Sequence, residues 1–265
     1  MLDSHLHNAW NEISYRISII TLDSHNAMPC ERALSNLVGD FKGLDVSIFA
    51  AAEWGENPSA LEEAKAAIEK SDIIIVNLLF LEDHIKPILP ILKSRRDDCD
   101  AMIGVVCDAE LVKLTRMGAL DMQAPDRGAL ALLKKLRGSS KPASETGEKK
   151  MRMLRRLPKI LKYIPGKAQD LRAWFLVMQY WLGGTDENIE AMLRFLISRY
   201  SHVDSWQGVS AEPPREYPNV GVYHPSLKGR ISEDLDDLPE VKNPVAIIGL
   251  LLMRSYVLSG DTAHY

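Results

Sequence analysis

The stretch "DIIIVNLLF" (72–80) constrains this chain's fold more than any other part of the sequence. Four apolar, mostly β-branched residues follow one another without polar alternation. A strand with one wet face does not read that way; a strand buried on both faces does. Three similar runs surround it: "RISIITL" (16–22), "DVSIFAA" (45–51) and "AMIGVVC" (101–107). Between the runs lie stretches with helical spacing. "CERALSNLV" follows the first. "NPSALEEAKAAIEKS" (57–71) is rich in helix formers, with Asn57 placed to cap and Pro58 in the first turn. "LEDHIKPILPILKSR" (81–95) reads as one helix interrupted by Pro87 and Pro90, and "AELVKLTRMG" (109–118) as another. Strand–helix alternation with such strands predicts a parallel sheet covered on both faces. The expectation is an α/β domain of Rossmann-like or flavodoxin-like type over residues 15–137.

The rest of the chain is organised differently. Residues 1–14 read as a flexible tail containing His5 and His7. "GSSKPASETGEKK" (138–150) consists of turn formers and charges and reads as a linker. A helical segment over 151–200 holds three helices (151–163, 167–182 and 187–200), broken at "PG" (165–166) and "GGT" (183–185). A Pro-rich polar loop (201–218) leads to a strand, "NVGVYHP" (219–225). An acidic loop, "SEDLDDLPE" (232–240), precedes a further strand at 245–252. "GDT" after that run has the composition of a helix start. Residues 201–265 therefore read as the first strands of a second α/β domain, too few to bury a core. The expectation is that the 265 residues are a piece of a longer polypeptide.

Composition excludes several classes. Hydrophobic content of 46% and charged content of 26% are those of a globular protein. A formal net charge of -4 argues against nucleic acid as partner. Cys30, Cys99 and Cys107 form no C-x-x-C pair, which fits a reducing compartment without a disulfide framework. "MLDSHLHNAWNE" has no signal-peptide core. The longest apolar runs fall short of the roughly 20 residues that span a bilayer. There is no G-x-x-x-x-G-K-[ST], G-x-G-x-x-G or G-x-S-x-G, and no zinc-ligand spacing.

In an open parallel sheet, ligands sit beyond the carboxyl ends of the strands. The residues just past strands one to four are Asp23, Ser24 and His25; Glu53 and Trp54; Glu82, Asp83 and His84; Asp108 and Glu110. Together they form a candidate ligand or interface rim. The simpler reading makes the carboxylates helix caps that favour positive helix ends. Asp23-x-His25 matches the start of a cobalamin-binding fingerprint, but Met28 stands where that fingerprint has Gly. A second candidate is the basic segment 134–172, with thirteen Lys/Arg against three acids. In its helix, Leu154, Leu157, Leu161 and Ile164 share one face. Arg152, Arg155, Arg156, Lys159 and Lys162 lie on the others, as a surface for an anion or partner, or simply a solvated face. Leu171, Trp174, Phe175, Met178 and Trp181 recur at helical spacing and read as core.

Long stretches carry a resemblance. They are "IITLDSHNAMPCERA", "IIIVNLLFLEDHIKPILPILKSRRDDCDAMI", "VKLTRMGALDM", "MLRRLPKILKYIPGKAQDLRAWFLVMQYWLGGTDENIEAML", "YPNVGVYHP" and "GLLLMRSYVLSGDTAHY". From about residue 15 onward they resemble the N-terminal region of the large, porphyrin-binding H subunit of magnesium chelatase. The resemblance implies part of an enzyme that inserts Mg²⁺ into protoporphyrin IX on the way to chlorophyll or bacteriochlorophyll. It implies AAA+ partners, the I and D subunits, that hydrolyse ATP, which agrees with the missing P-loop. It implies a metallation site outside these residues, so no catalytic residue is carried over and the piece alone is expected to be inactive. The implied setting is the bacterial cytoplasm or the chloroplast stroma, with scope for peripheral membrane contact. Two alternatives stay open: the large subunit of cobalt chelatase, and a non-catalytic interaction or regulatory head module.

Overall fold

The computed structural model describes residues 14–22, 27–37, 39–124, 156–227, 229–240, 242, 245–246 and 248–260. The four apolar runs form the parallel strands β1 (Tyr15–Thr21), β2 (Leu44–Ala50), β3 (Ile73–Asn77) and β4 (Ala101–Val105). Their order is β2-β1-β3-β4. Between them run α1 (Ala27–Leu37), α2 (Pro58–Lys70), and two short helices, α3 (Glu82–Ile85) and α4 (Leu89–Arg95). Every residue of β3 and β4 is buried, as the missing polar alternation requires. The expected α/β class with a parallel sheet is the observed one.

Alternation along the strands divides the core in two. Ile17, Ile19, Ile73, Ile75, Ile103 and Val105 face one side with α1. Ile20, Ile74, Val76 and Met102 face the other with α2 and α4. Each buried Ile is worth about 1.5–3 kcal/mol relative to exposure. The first face is completed by helices from later in the chain: α6 (Lys167–Gly183) and α7 (Asp186–Tyr200). Leu171, Phe175, Met178 and Trp181 are buried there as core, and Trp174 donates its indole N–H to the Gly104 carbonyl at 2.9 Å. Gly104 is required: a Cβ would lie 2.5 Å from the Leu111 carbonyl of α5 (Ala109–Lys113).

The structure corrects several expectations. The single helix at 81–95 is two, because Pro87 and Pro90 deny backbone donors to a continuous helix. Asn57 precedes α2, but its side chain makes no cap hydrogen bond. The helix expected at 109–118 stops at Lys113. An antiparallel hairpin follows, β5 (Arg116–Met117) and β6 (Leu120–Asp121), which extends the sheet beyond β4. Gly118 turns that hairpin at φ +56, close against Asp170. The strand expected at 219–225 shrinks to β7 (Val222–Tyr223), paired with β8 (Ile231–Ser232). The described residues of 245–252 are unpaired coil, since no described strand offers a neighbour, and Val245, Ile248 and Leu251 stand exposed. A helix not expected from sequence precedes "GDT": α8 (Arg254–Ser259) ends at Gly260, whose left-handed φ of 76 is a helix stop, and the helix start expected at "GDT" falls on residues that are not described. Residues 261–265, the tail 1–13 and the linker 138–150 lie outside the described residues.

The carboxylate of Asp186, at the start of α7, holds the last described segment in place. Arg32 of α1 reaches it at 3.2 Å and Arg230 at 2.8 Å. The same two guanidiniums donate to the Ser259 and Leu258 carbonyls at the end of α8. Burial raises the Asp186 pKa. Its backbone N–H, Arg230 and Arg32 outweigh that and hold it below the usual carboxylate range. A depressed carboxylate stabilises above its unfolded pKa and loses that contribution as pH falls through the folded value. We expect Asp186→Asn at neutral pH, and acidification below the usual carboxylate range in the unchanged chain, each to lower the protection of the α8 amides relative to the intrinsic exchange rate at that pH. The amides of β3 should remain protected, as hydrogen-exchange mass spectrometry would show.

Candidate functional site at the strand switch point

The chain leaves β1 for β2 on one side and then crosses back to β3 on the other. The carboxyl ends of β1 and β3 are thus the topological switch point, where open α/β sheets place ligands. Two features mark this edge. Leu78 and Val106, just past β3 and β4, hold left-handed backbones at φ 55 and φ 49. Such conformations cost on the order of 1–3 kcal/mol for non-glycine residues, and β-branched Val106 tolerates it least. Hydrogen bonds clamp them: Leu78 N–H donates to Val106 O at 2.9 Å and Asp108 N–H to Leu79 O at 2.8 Å.

The second feature is buried polarity. Thr21 and Asn77 end β1 and β3, and the register Ile20↔Val76 puts them side by side. Both are fully buried. Among the described residues, neither the Thr21 hydroxyl nor either polar atom of the Asn77 amide has a hydrogen-bond partner. Strand alternation aims both at the α1, α6 and α7 face. On the opposite face, Trp54 and His84 meet edge to face with centroids 6.4 Å apart, and Trp54 Nε1 and His84 Nδ1 are also unpartnered.

Among the described rim residues expected from sequence, Trp54 and His84 are brought together from two different strand ends. Asp23 and His25 lie outside the described residues. Glu53 is exposed at the end of a 3-10 turn. Glu82 pairs with Lys86, which holds its pKa below the usual value. Glu110 pairs with Lys93 at 2.9 Å. Asp108 caps α5, accepting from Glu110 N–H at 2.7 Å, so for it the capping reading holds. Arg152 and Arg155 also fall outside the described residues. Arg156, Lys159 and Lys162 are exposed on a helical turn at 156–161 and just after it. Thr21, Asn77, Leu78 and Val106 were not among the expected site residues. One signal was available: Asn77 is the lone polar residue inside "IIIVNLLF".

The arrangement suits holding a polar group, not making bonds. Burial pushes the Cys107 thiol, past β4, up to about 12, so it stays protonated at neutral pH. Burial does the same at Cys30, to about 12, and at Cys99, to about 11. Among the described residues no three His, Cys, Asp or Glu side chains gather as a metal site. None of their helices is long and apolar enough to cross a membrane.

Residues 16–175 match the family described as Domain of unknown function (DUF3479), more than half of the chain. The chain belongs to the DUF3479 family. Residues 178–265 match a second family, CobN/Magnesium Chelatase. The chain is 55% identical over 251 residues to the magnesium-chelatase H subunit of Rhodobacter capsulatus and 56% identical to that of Cereibacter sphaeroides. Each match covers 95% of this chain and 21% of the relative. The chloroplastic ChlH subunit of magnesium chelatase from Oryza sativa is 26% identical over 212 residues, 76% of this chain and 15% of the rice protein. The homology with the N-terminal region of the magnesium-chelatase H subunit is strong, as the sequence resemblance implied. The chain spans about a fifth of the length of the curated relatives it matches.

An unpartnered buried amide is costly, and removing it recovers its desolvation penalty of about 1–3 kcal/mol. Asn77→Leu should therefore leave the denaturation midpoint unchanged or raise it, whereas Asn77→Asp, which buries a charge, should lower it sharply. A clear loss of stability in Asn77→Leu would show that the amide has a partner in the folded chain.

Proposed function

We propose that this chain is the N-terminal part of a magnesium-chelatase H subunit, the subunit that carries protoporphyrin IX during Mg²⁺ insertion. The observation that carries this reading is the identity of 55% and 56%, over 95% of the chain, to two proteins named for that activity. The whole enzyme would draw on ATP hydrolysed by I and D subunits, consistent with a sequence that has no phosphate-binding loop. The setting would be the cytoplasm of a bacterium, or the stroma if the source has chloroplasts. Cobalt chelatase is the weaker alternative, because relatives named magnesium chelatase match the head region as well as residues 178–265.

Within that subunit, residues 15–137 would be a head, 138–150 a linker and 151–200 a helical connection. Residues 201–265 would open the chelatase domain. Among the described residues no metal cluster gathers at the rim, and burial keeps the Cys107 thiol protonated, which supports a binding and positioning role for the head. An open groove of about 790 Å³ lies between the β7–β8 hairpin and residues 248–252. Its apolar lining (Val220, Val222, Ile231, Ile248, Leu250) suits further strands of a chelatase domain.

Two experiments test this. The isolated chain, supplied with I and D subunits, Mg²⁺ and ATP, should yield no Mg-protoporphyrin above a blank lacking it. Grafted in place of the matching region of the Rhodobacter capsulatus protein, it should support insertion. A folded but inactive graft would defeat the reading. In the active graft, amides of 248–253 should exchange more slowly than in the isolated chain.

A further inference from the structure

We propose that copies of this chain associate head to tail, a basic turn on one copy docking on an acidic turn of the next. The basic turn covers 156–167. Leu157 and Leu161 are buried in the sheet core, so the turn is fixed to the body. The Gln169 side-chain amide donates to the Leu161 and Ile164 carbonyls, and Arg172 donates to Pro158 O at 3.2 Å. Outward it shows Arg156, Lys159, Lys162 and Lys167, with Ile160 51% and Tyr163 82% exposed among them. No carboxylate among the described residues pairs with these cations.

The acidic turn is the converse. Glu233, Asp234, Asp236, Asp237 and Glu240 are exposed around Leu235, itself 68% exposed. It is also preformed: Asp234 accepts from Asp236 N–H at 3.0 Å, and Asp237 accepts from the Ser232 hydroxyl. No described cation pairs with its carboxylates. Protein surfaces ordinarily intersperse both signs; here each sign is segregated around an exposed apolar anchor. The two turns are complementary in charge and each supplies an apolar contact.

Within one copy they lie toward opposite ends of α6. The basic turn leads into the start of α6. The acidic turn follows Arg230, which is bonded to Asp186 just past the end of α6. The 17 residues of α6 put roughly 25 Å between the basic turn and the Asp186 end where Arg230 is bonded. Every copy carries both halves, so the contact is heterologous and joins one end of a copy to the other end of its neighbour. This inference stands apart from the chelatase reading.

Sedimentation of the 265-residue chain tests it, with two variants whose folds are checked by circular dichroism. One variant breaks the basic turn with Arg156→Glu, Lys159→Glu and Lys162→Glu. The other breaks the acidic turn with Glu233→Lys, Asp236→Lys and Glu240→Lys, leaving Asp234 and Asp237 to hold its shape. The unchanged chain should self-associate at low salt and dissociate at high salt. Each variant alone should associate about tenfold more weakly or less. Equal amounts of both variants should form a heterodimer, because one intact contact survives. If a reversal variant does not fold, Lys159→Gln with Lys162→Gln replaces it. A chain monomeric at low salt overturns the proposal. So does self-association that both variants retain, or a mixture that fails to restore it. Binding of a monomeric chain to vesicles of anionic lipid, lost with the basic turn, would overturn it in favour of a membrane contact.

Discussion

The packing of α6 and α7 onto the parallel sheet supports every other feature of the molecule. A parallel sheet must be covered on both faces, because its strands have no polar side. Of the crossover helices, α2 and α4 lie on one face and only α1 on the other. The remaining surface of Ile75, Ile103 and Val105 is closed by helices that arrive some 60 residues after β4. The Trp174 indole sets their position along the sheet by bonding Gly104 O inside β4 itself. The switch-point edge, the basic turn and the segment held by Asp186 all take their places from that contact.

Three aspartates secure joints between distant parts of the sequence. Asp100 accepts from the Tyr15 hydroxyl at 2.7 Å and from His202 N–H at 3.0 Å, joining β1 and the foot of β4 to the loop after α7. Burial and that carboxylate push the Tyr15 phenol above its usual range, so it remains a donor. Asp170 accepts from Ala119 N–H, Arg199 and the Tyr200 hydroxyl, tying the β5–β6 turn to α6 and α7. Asp186 does the same for α1, α7 and α8. Buried and half-buried charges of this kind add little net stability, since desolvation offsets attraction. Each tolerates few alternatives, so together they select one arrangement of helices that apolar packing alone would leave loose.

The parallel core was legible because its signal is local. A run such as "DIIIVNLLF" declares double burial by itself, and helix formers between such runs imply the crossovers. Short elements were not legible. β5 and β6 have two residues each, too few to show a period, and they exist because Gly118 can turn against Asp170. Residues 245–252 have strand composition and yet the described ones among them pair with nothing described, since a strand also needs a neighbour, and that is not a property of its own residues. The candidate site was half legible. Topology located the edge, but the eye goes to carboxylates and His there, and three of the described ones, Glu82, Asp108 and Glu110, cap a helix or pair with a lysine. The unusual groups, Thr21 and Asn77, look ordinary in sequence; their burial without partners is a tertiary fact.

What the parallel-sheet body can do follows from where its unusual groups sit. Its strained backbone and unpaired polar atoms lie at the strand edge, inside a frame made rigid by both covered faces. Its thiols are held protonated by burial, and Glu82, Asp108 and Glu110 at the edge already have partners. A rigid edge with unmet hydrogen-bonding capacity can hold a polar group in a fixed position. The segment that carries this edge spans about a fifth of the length of the two magnesium-chelatase H subunits to which it is 55% and 56% identical.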